Sequence, residues 1–136
     1  IYPRIDEVRS GRALMTKLER ASAGVAELGL VGPKEQYLLQ LRRPVVNFGH
    51  ARWREREAEA ADAAVWLAAG PQRALFLERR VREACFAGAH ALDLGFANNG
   101  HWYLVSGAAD PACVARGDLS RAISYTPPGA LLNTGS

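Results

Sequence analysis

The chain has 136 residues, 49% hydrophobic and 23% charged, with a formal net charge of +3 and a pI near 9.2. That length fits one domain able to bury a core without staples, and the composition excludes bulk disorder. A charge of +3 is too small to argue for a nucleic-acid partner, and none is expected. The longest apolar run, Ala63 to Ala69, is far short of the roughly 20 residues a membrane span needs.

In chain order, Leu14, Leu18 and Ala21 fall at helical spacing and predict a helix over Ser10 to Ala23, with Ser10 as N-cap. Ala26 to Val31 reads as a strand, and Gly32-Pro33 as a turn into a short helix over Lys34 to Leu41, with a strand followed by an Arg42-Arg43-Pro44 turn as its rival. Pro44 to Phe48 is a strand. Glu55 to Gly70 is the clearest helix, rich in Ala and Glu, stopped by Gly70-Pro71, with Ala60, Ala64, Leu67 and Ala68 as its core face. Arg73 to Glu78 is a strand and Arg79 to Cys85 a short helix. Ala89 to Ala97 and His101 to Gly107 are strands joined by Asn98-Asn99-Gly100, a hairpin signal. Alternation there sends Trp102 and Leu104 to one face and His101 and Tyr103 to the other. Residues from Thr126 on, rich in Pro, Gly, Ser and Asn, predict a flexible tail, leaving one α/β domain over residues 1–125. Strands alternating with helices predict a three-layer α/β/α sandwich, its sheet mostly parallel, with a C-terminal antiparallel hairpin.

No phosphate-binding glycine loop, HExxH or GxSxG motif occurs, which weakens the case for a complete enzyme. Cys85 and Cys113 are not a CxxC pair and no second Cys/His pair stands at ligand spacing, so neither metal nor cofactor is expected. The two cysteines are buried thiols in a reducing compartment, or a disulfide in an oxidising one.

The densest chemistry is "PVVNFGHARWRERE", Pro44 to Glu57, where an apolar strand turns into Asn47, His50, Arg52, Trp53 and Arg54. Ligand groups of open α/β sheets gather past the carboxyl ends of strands. There, His50 titrates near neutrality and an arginine grips an anion in a fork. The plainer reading makes Asn47 or His50 a turn residue, packs Trp53 on the sheet and solvates the arginines. It stands ahead on residue types alone. His101 is a second ligand candidate, with a packed or surface histidine as its plainer reading. The basic side is 15 Arg against 2 Lys, in groups at 42–43, 52–56 and 79–82. Brought to one side, these form a face for anionic headgroups or phosphate. Dispersed, they are solvated ion pairs.

Three stretches, "LGLVGPKEQYLLQLRRPVVNFGHARWRE", "DAAVWLAAGPQRALFLE" and "HWYLVSG", together resemble the soluble C-terminal domain of bacterial integral-membrane glycosyltransferases. That family includes the aminoarabinose transferase of lipid A and relatives of the dolichyl-phosphate-mannose–protein mannosyltransferase type. The resemblance spans roughly Tyr2 to Gly107. It implies a periplasmic α/β/α domain at the inner membrane, set above a transmembrane bundle that uses a polyprenyl-phosphate sugar. The family's catalytic carboxylate lies on a membrane loop that nothing here matches, so no aspartate of this chain inherits it. The partners implied are the protein's own transmembrane domain and anionic lipid or polyprenyl-phosphate sugar. The start at Ile1 reads as a piece cut from a longer protein, and an oxidising periplasm favours a Cys85–Cys113 bridge. The leading expectation is a non-catalytic domain that caps the membrane cavity and positions acceptor or carrier, with Asn47, His50, Arg52, Trp53 and Arg54 facing membrane or ligand. The rivals are a free-standing small-molecule or nucleotide-binding domain, and a small hydrolase with His50 or His101 as base.

Overall fold

A computed structural model describes residues 3–31, 43–48, 56–97 and 100–126, with backbone alone for 3–11 and 56–57. The elements are α1 (Pro3–Ala21), β1 (Glu27–Leu30), β2 (Val45–Asn47), α2 (Arg56–Ala69), β3 (Arg73–Glu78) and α3 (Arg79–Cys85). They continue with β4 (His90–Ala97), β5 (Gly100–Ser106), α4 (Pro111–Arg116), a 3₁₀ turn (Leu119–Arg121) and β6 (Ile123–Tyr125). The protein is mixed α/β, built on a six-stranded open sheet of order β4-β5-β3-β1-β2-β6. The helix expected over 34–41, the Asn98-Asn99 turn and the tail beyond Thr126 lie outside the described residues.

The sheet is mixed rather than mostly parallel. β1 runs parallel to β2 and β3, while β3–β5, β4–β5 and β2–β6 are antiparallel. Chain length dictates part of this. A parallel crossover needs a dozen or more residues, and β4 and β5 are too close in sequence to have one. Their pairing runs from His90↔Ser106 to Ala97↔Gly100.

Each face of the sheet carries one apolar cluster. On the first, Leu14, Met15 and Leu18 of α1 pack on Leu28, Leu30, Val45, Ala74, Phe76, Trp102 and Leu104. Phe76 and Trp102 stack there with centroids 4.8 Å apart. On the second, Ala60, Ala63, Ala64, Trp66 and Leu67 of α2 meet Phe48, Leu75, Leu77, Tyr103 and Val105, together with Cys85, Phe86 and Cys113. Strand alternation sorts the residues as expected: Trp102 and Leu104 belong to the first face, Tyr103 to the second. β3 is buried on both sides, which is why "RALFLE" is continuously apolar at its centre.

Two helices differ from the sequence reading. α1 opens at Pro3, a residue pre-set for a first helical turn, so Ser10 is inside the helix rather than at its N-cap. On α2 the buried stripe is Ala60, Ala63, Ala64 and Leu67, the spacing of one helical face, and Ala68 is exposed. Trp66 joins that face by meeting Phe48 edge-on at 5.5 Å.

Arg43 ties the start of β2 to the end of α1. Its guanidinium donates to the Ser22 carbonyl at 2.9 Å and to those of Val25 and Ala26 at 2.9 and 3.1 Å. The Ser22 carbonyl also accepts the Val25 N–H at 3.0 Å, and the fork adds donors to the carbonyls just past the last helical turn. α4 was not foreseen. It is a six-residue helix with Pro111 in its first turn, and Asp110 caps it by accepting from the Ala112 N–H at 3.0 Å. Cys113 on α4 is joined to Cys85 at the end of α3 by a disulfide, Cα to Cα 5.8 Å.

Candidate functional site at the carboxyl edge of the sheet

β1, β2, β3 and β4 all end at one edge of the sheet, and the antiparallel β5 and β6 begin there. This edge collects Asn47, the start of α3 with Arg79 and Arg80, Phe96, His101 and Ile123. His50, Arg52, Trp53 and Arg54 follow β2 in the chain and lie outside the described residues. Arg43 is at the opposite edge from Arg79 and Arg80, and Arg42, Arg52 and Arg54 lie outside the described residues.

Asn47 and His101 share the edge but not a face. Asn47 pairs in register with Leu30, on the α1 side. His101 is on the α2 side, and β1 and β3 stand between their strands, about 14 Å at ordinary strand spacing. The Asn47 side-chain oxygen is buried without a hydrogen-bond partner among the described residues. A buried amide oxygen in that condition carries a desolvation cost.

His101 is the centre of a built cluster. Its Nε2 lies 2.7 Å from Asp93 Oδ1 and its Nδ1 3.3 Å from the Tyr103 hydroxyl. Its ring is held between Phe96, centroids 4.1 Å apart, and Tyr103 at 4.5 Å, and the Arg82 guanidinium covers Tyr103 at 4.5 Å. Asp93 is aimed by a bulge. The β4–β5 register shifts between Asp93 and Gly95, Gly95 takes φ +96°, and its N–H donates to Asp93 Oδ1 at 2.8 Å.

The chemistry of this cluster is restrained. With Nε2–H donated to Asp93, the remaining lone pair on Nδ1 accepts the Tyr103 O–H. Both ring nitrogens are therefore engaged, which suits an orienting pair rather than a base waiting for a substrate proton. No group of three or more His, Cys, Asp or Glu among the described residues is placed to hold a metal. No helix among them is long and apolar enough to cross a membrane.

The Asp93 carboxyl is held below its ordinary value of 3.8, chiefly by the His101 hydrogen bond, with help from the Gly95 N–H and the charges of His101 and Lys17. A lowered carboxyl stabilises the fold above that ordinary value, and the contribution is lost as pH falls through the lowered one. Asp93→Asn is expected to flatten the loss of stability below about pH 4. Urea midpoints at neutral and acid pH check this; an unchanged acid slope would leave the pair without a role in stability.

Comparison with protein-family models, with curated proteins and with solved structures returned no match.

Proposed function

We propose that the chain is an extramembrane accessory domain of a membrane glycosyltransferase that uses a polyprenyl-phosphate sugar. It sits on the periplasmic face of the inner membrane, caps the membrane cavity and helps position acceptor or carrier. Its architecture in this reading is a three-layer α/β/α sandwich ending in a hairpin turned at Asn98–Gly100. The family resemblance of the three sequence stretches supplies the substrate class.

The observation that carries the positioning role is the carboxyl edge of the sheet. Strand ends, Arg79 and Arg80 and the His101 cluster converge there, and the segment with His50, Arg52, Trp53 and Arg54 departs from β2 at that edge. The engaged state of both His101 nitrogens favours positioning over bond-breaking and counts against the hydrolase reading. The Cys85–Cys113 disulfide suits an oxidising compartment. A free-standing small-molecule-binding domain is the second reading, favoured by the oxygen of Asn47, which has no partner among the described residues, at a strand end.

The parent gene provides the first test. Several apolar segments of about 20 residues encoded upstream support the glycosyltransferase reading, and their absence ends it. In membranes carrying such a parent, deleting this domain is expected to collapse sugar transfer from a polyprenyl-phosphate donor. Undiminished transfer would refute a positioning role.

A further inference from the structure

Residues 110–125 hold α4, the 3₁₀ turn and β6, and they bury little of their own. Cys113 is the one fully buried side chain among them, and Val114, Ala122 and Tyr125 add half-buried contacts. The β4–β5 pair that precedes them is different. It places Leu94, Ala97 and the run Trp102 to Val105 in the two apolar clusters. The grip of a segment follows the apolar surface it buries. β4 and β5 therefore hold by packing, while residues 110–125 hold chiefly through Cys113.

The other ties of this stretch are polar. The Asp110 N–H donates to the Cys85 carbonyl at 2.8 Å, the Asp118 N–H to Asp62 Oδ1 at 2.7 Å, and β6 pairs with β2 over three residues. Each of these groups finds water when the stretch lifts, and the buried Asp62 carboxylate regains its hydration. The disulfide has no such substitute. A further feature lies on the sulfur itself: Arg116 Nη2 donates to Cys113 Sγ at 3.4 Å. A guanidinium in that place stabilises a thiolate on Cys113 and makes it the better leaving group of the pair in thiol–disulfide exchange.

From this arrangement we infer that residues 110–125 are a strap locked by the Cys85–Cys113 bond, and that a dithiol reductant releases the strap from α2 and β2 while the other five strands stay folded. Cys85 and Cys113 are 2% and 1% exposed, so α4 lifts before the reductant arrives. A helix of six residues, with Pro111, Ala112 and Ala115 exposed, lifts without disturbing the sheet. A thiolate of the dithiol then attacks Cys85 Sγ, the Sγ–Sγ bond breaks, and its electron pair leaves on Cys113 Sγ beside Arg116. The second thiol of the reductant, losing its proton, attacks the mixed disulfide and expels the Cys85 thiolate. The reductant departs as a disulfide, and the two protein thiolates take up its two protons. Release uncovers the outer edge of β2 and the face of α2 at Ala61 and Asp62. The strap follows from the fold alone and is independent of the glycosyltransferase reading.

The test is limited trypsin digestion of the 136-residue chain, oxidised and after reduction by dithiothreitol, with the cut sites read by mass spectrometry. Arg116 and Arg121 report on the strap, Lys17 on α1 and Arg73 on β3. Reduction is expected to speed cleavage after Arg116 and Arg121 about tenfold or more, while Lys17 and Arg73 stay protected. The Cys85→Ala, Cys113→Ala double variant is expected to give the reduced pattern without reductant. An equal rise at all four sites would show that the domain opens as a whole and would overturn the strap, as would an unchanged pattern on reduction. Arg116→Gln is expected to slow reduction by dithiothreitol several-fold, read by thiol alkylation, and Arg116→Lys to restore most of the rate. An undiminished rate in Arg116→Gln would overturn the leaving-group role of Cys113.

Discussion

Reduction of the Cys85–Cys113 disulfide is expected to lower the unfolding free energy by about 3–4 kcal/mol. The bond closes a segment of sequence separation 28 that contains the whole β4–β5 pair, and a loop of that length loses much chain entropy when tied in the unfolded state. Domains of this kind have about 5–15 kcal/mol in all, so the loss is a large share. The bond also anchors α4, a helix of six residues that is too short to persist without tertiary support. Cys85 and Cys113 are 2% and 1% exposed, so a reductant reaches them only after local opening. The measurement is a pair of urea curves, with and without reductant, each incubated to equilibrium. The Cys85→Ala, Cys113→Ala double variant should reproduce the reduced midpoint or fall slightly below it, because two buried sulfurs are also removed. Coincident curves for the wild type would mean that the bond contributes no stability.

The sequence made the interior legible where one residue decides one thing. β3 runs over the range expected from "RALFLE", because a strand buried on both faces has no polar position to confuse the reading. α3 likewise occupies the expected Arg79–Cys85. The edges were harder. β6 pairs for three residues with β2 and exposes Ile123 and Ser124, so it has no amphipathic pattern and forms only because α4 and the 3₁₀ turn bring it there. Strand direction is likewise a tertiary matter, and the helix–strand alternation that suggested a mostly parallel sheet says nothing about where β5 inserts. At the site, His101 was visible as a histidine opening a strand, but its partner was not. A plain hairpin register gives Asp93 no special claim on His101. The bulge between Asp93 and Gly95 puts Phe96 opposite His101 and leaves Asp93 opposite Tyr103, within reach of the imidazole. One glycine with positive φ therefore separates a pattern that can be read from a contact that cannot.

The second large effect is expected at Gly117. Its backbone, φ −76° and ψ 161°, is one that any residue adopts, so the need for glycine is one of space. A Cβ there collides with the backbone carbonyl of Ala61 on α2 and presses on Val65 at 3.0 Å. A buried helix carbonyl cannot swing aside as a side chain can. In Gly117→Ala the 117–118 segment must lift from α2, breaking the bond from the Asp118 N–H to Asp62 Oδ1 at 2.7 Å. Asp62 is 4% exposed, so its carboxylate is left buried with a donor missing. Overpacking and the lost donor together are expected to cost about 3–5 kcal/mol. Gly88→Ala, with open space around the position, is the control and should remain within about 0.5 kcal/mol of wild type. Hydrogen exchange adds a spatial readout, since β6 follows Gly117 by a few residues and, among the described strands, pairs with β2 alone. Amides of Ile123 to Tyr125 are expected to lose protection in Gly117→Ala before those of β3. Equal midpoints for the two alanine variants would show that the chain at Gly117 does not pack against α2.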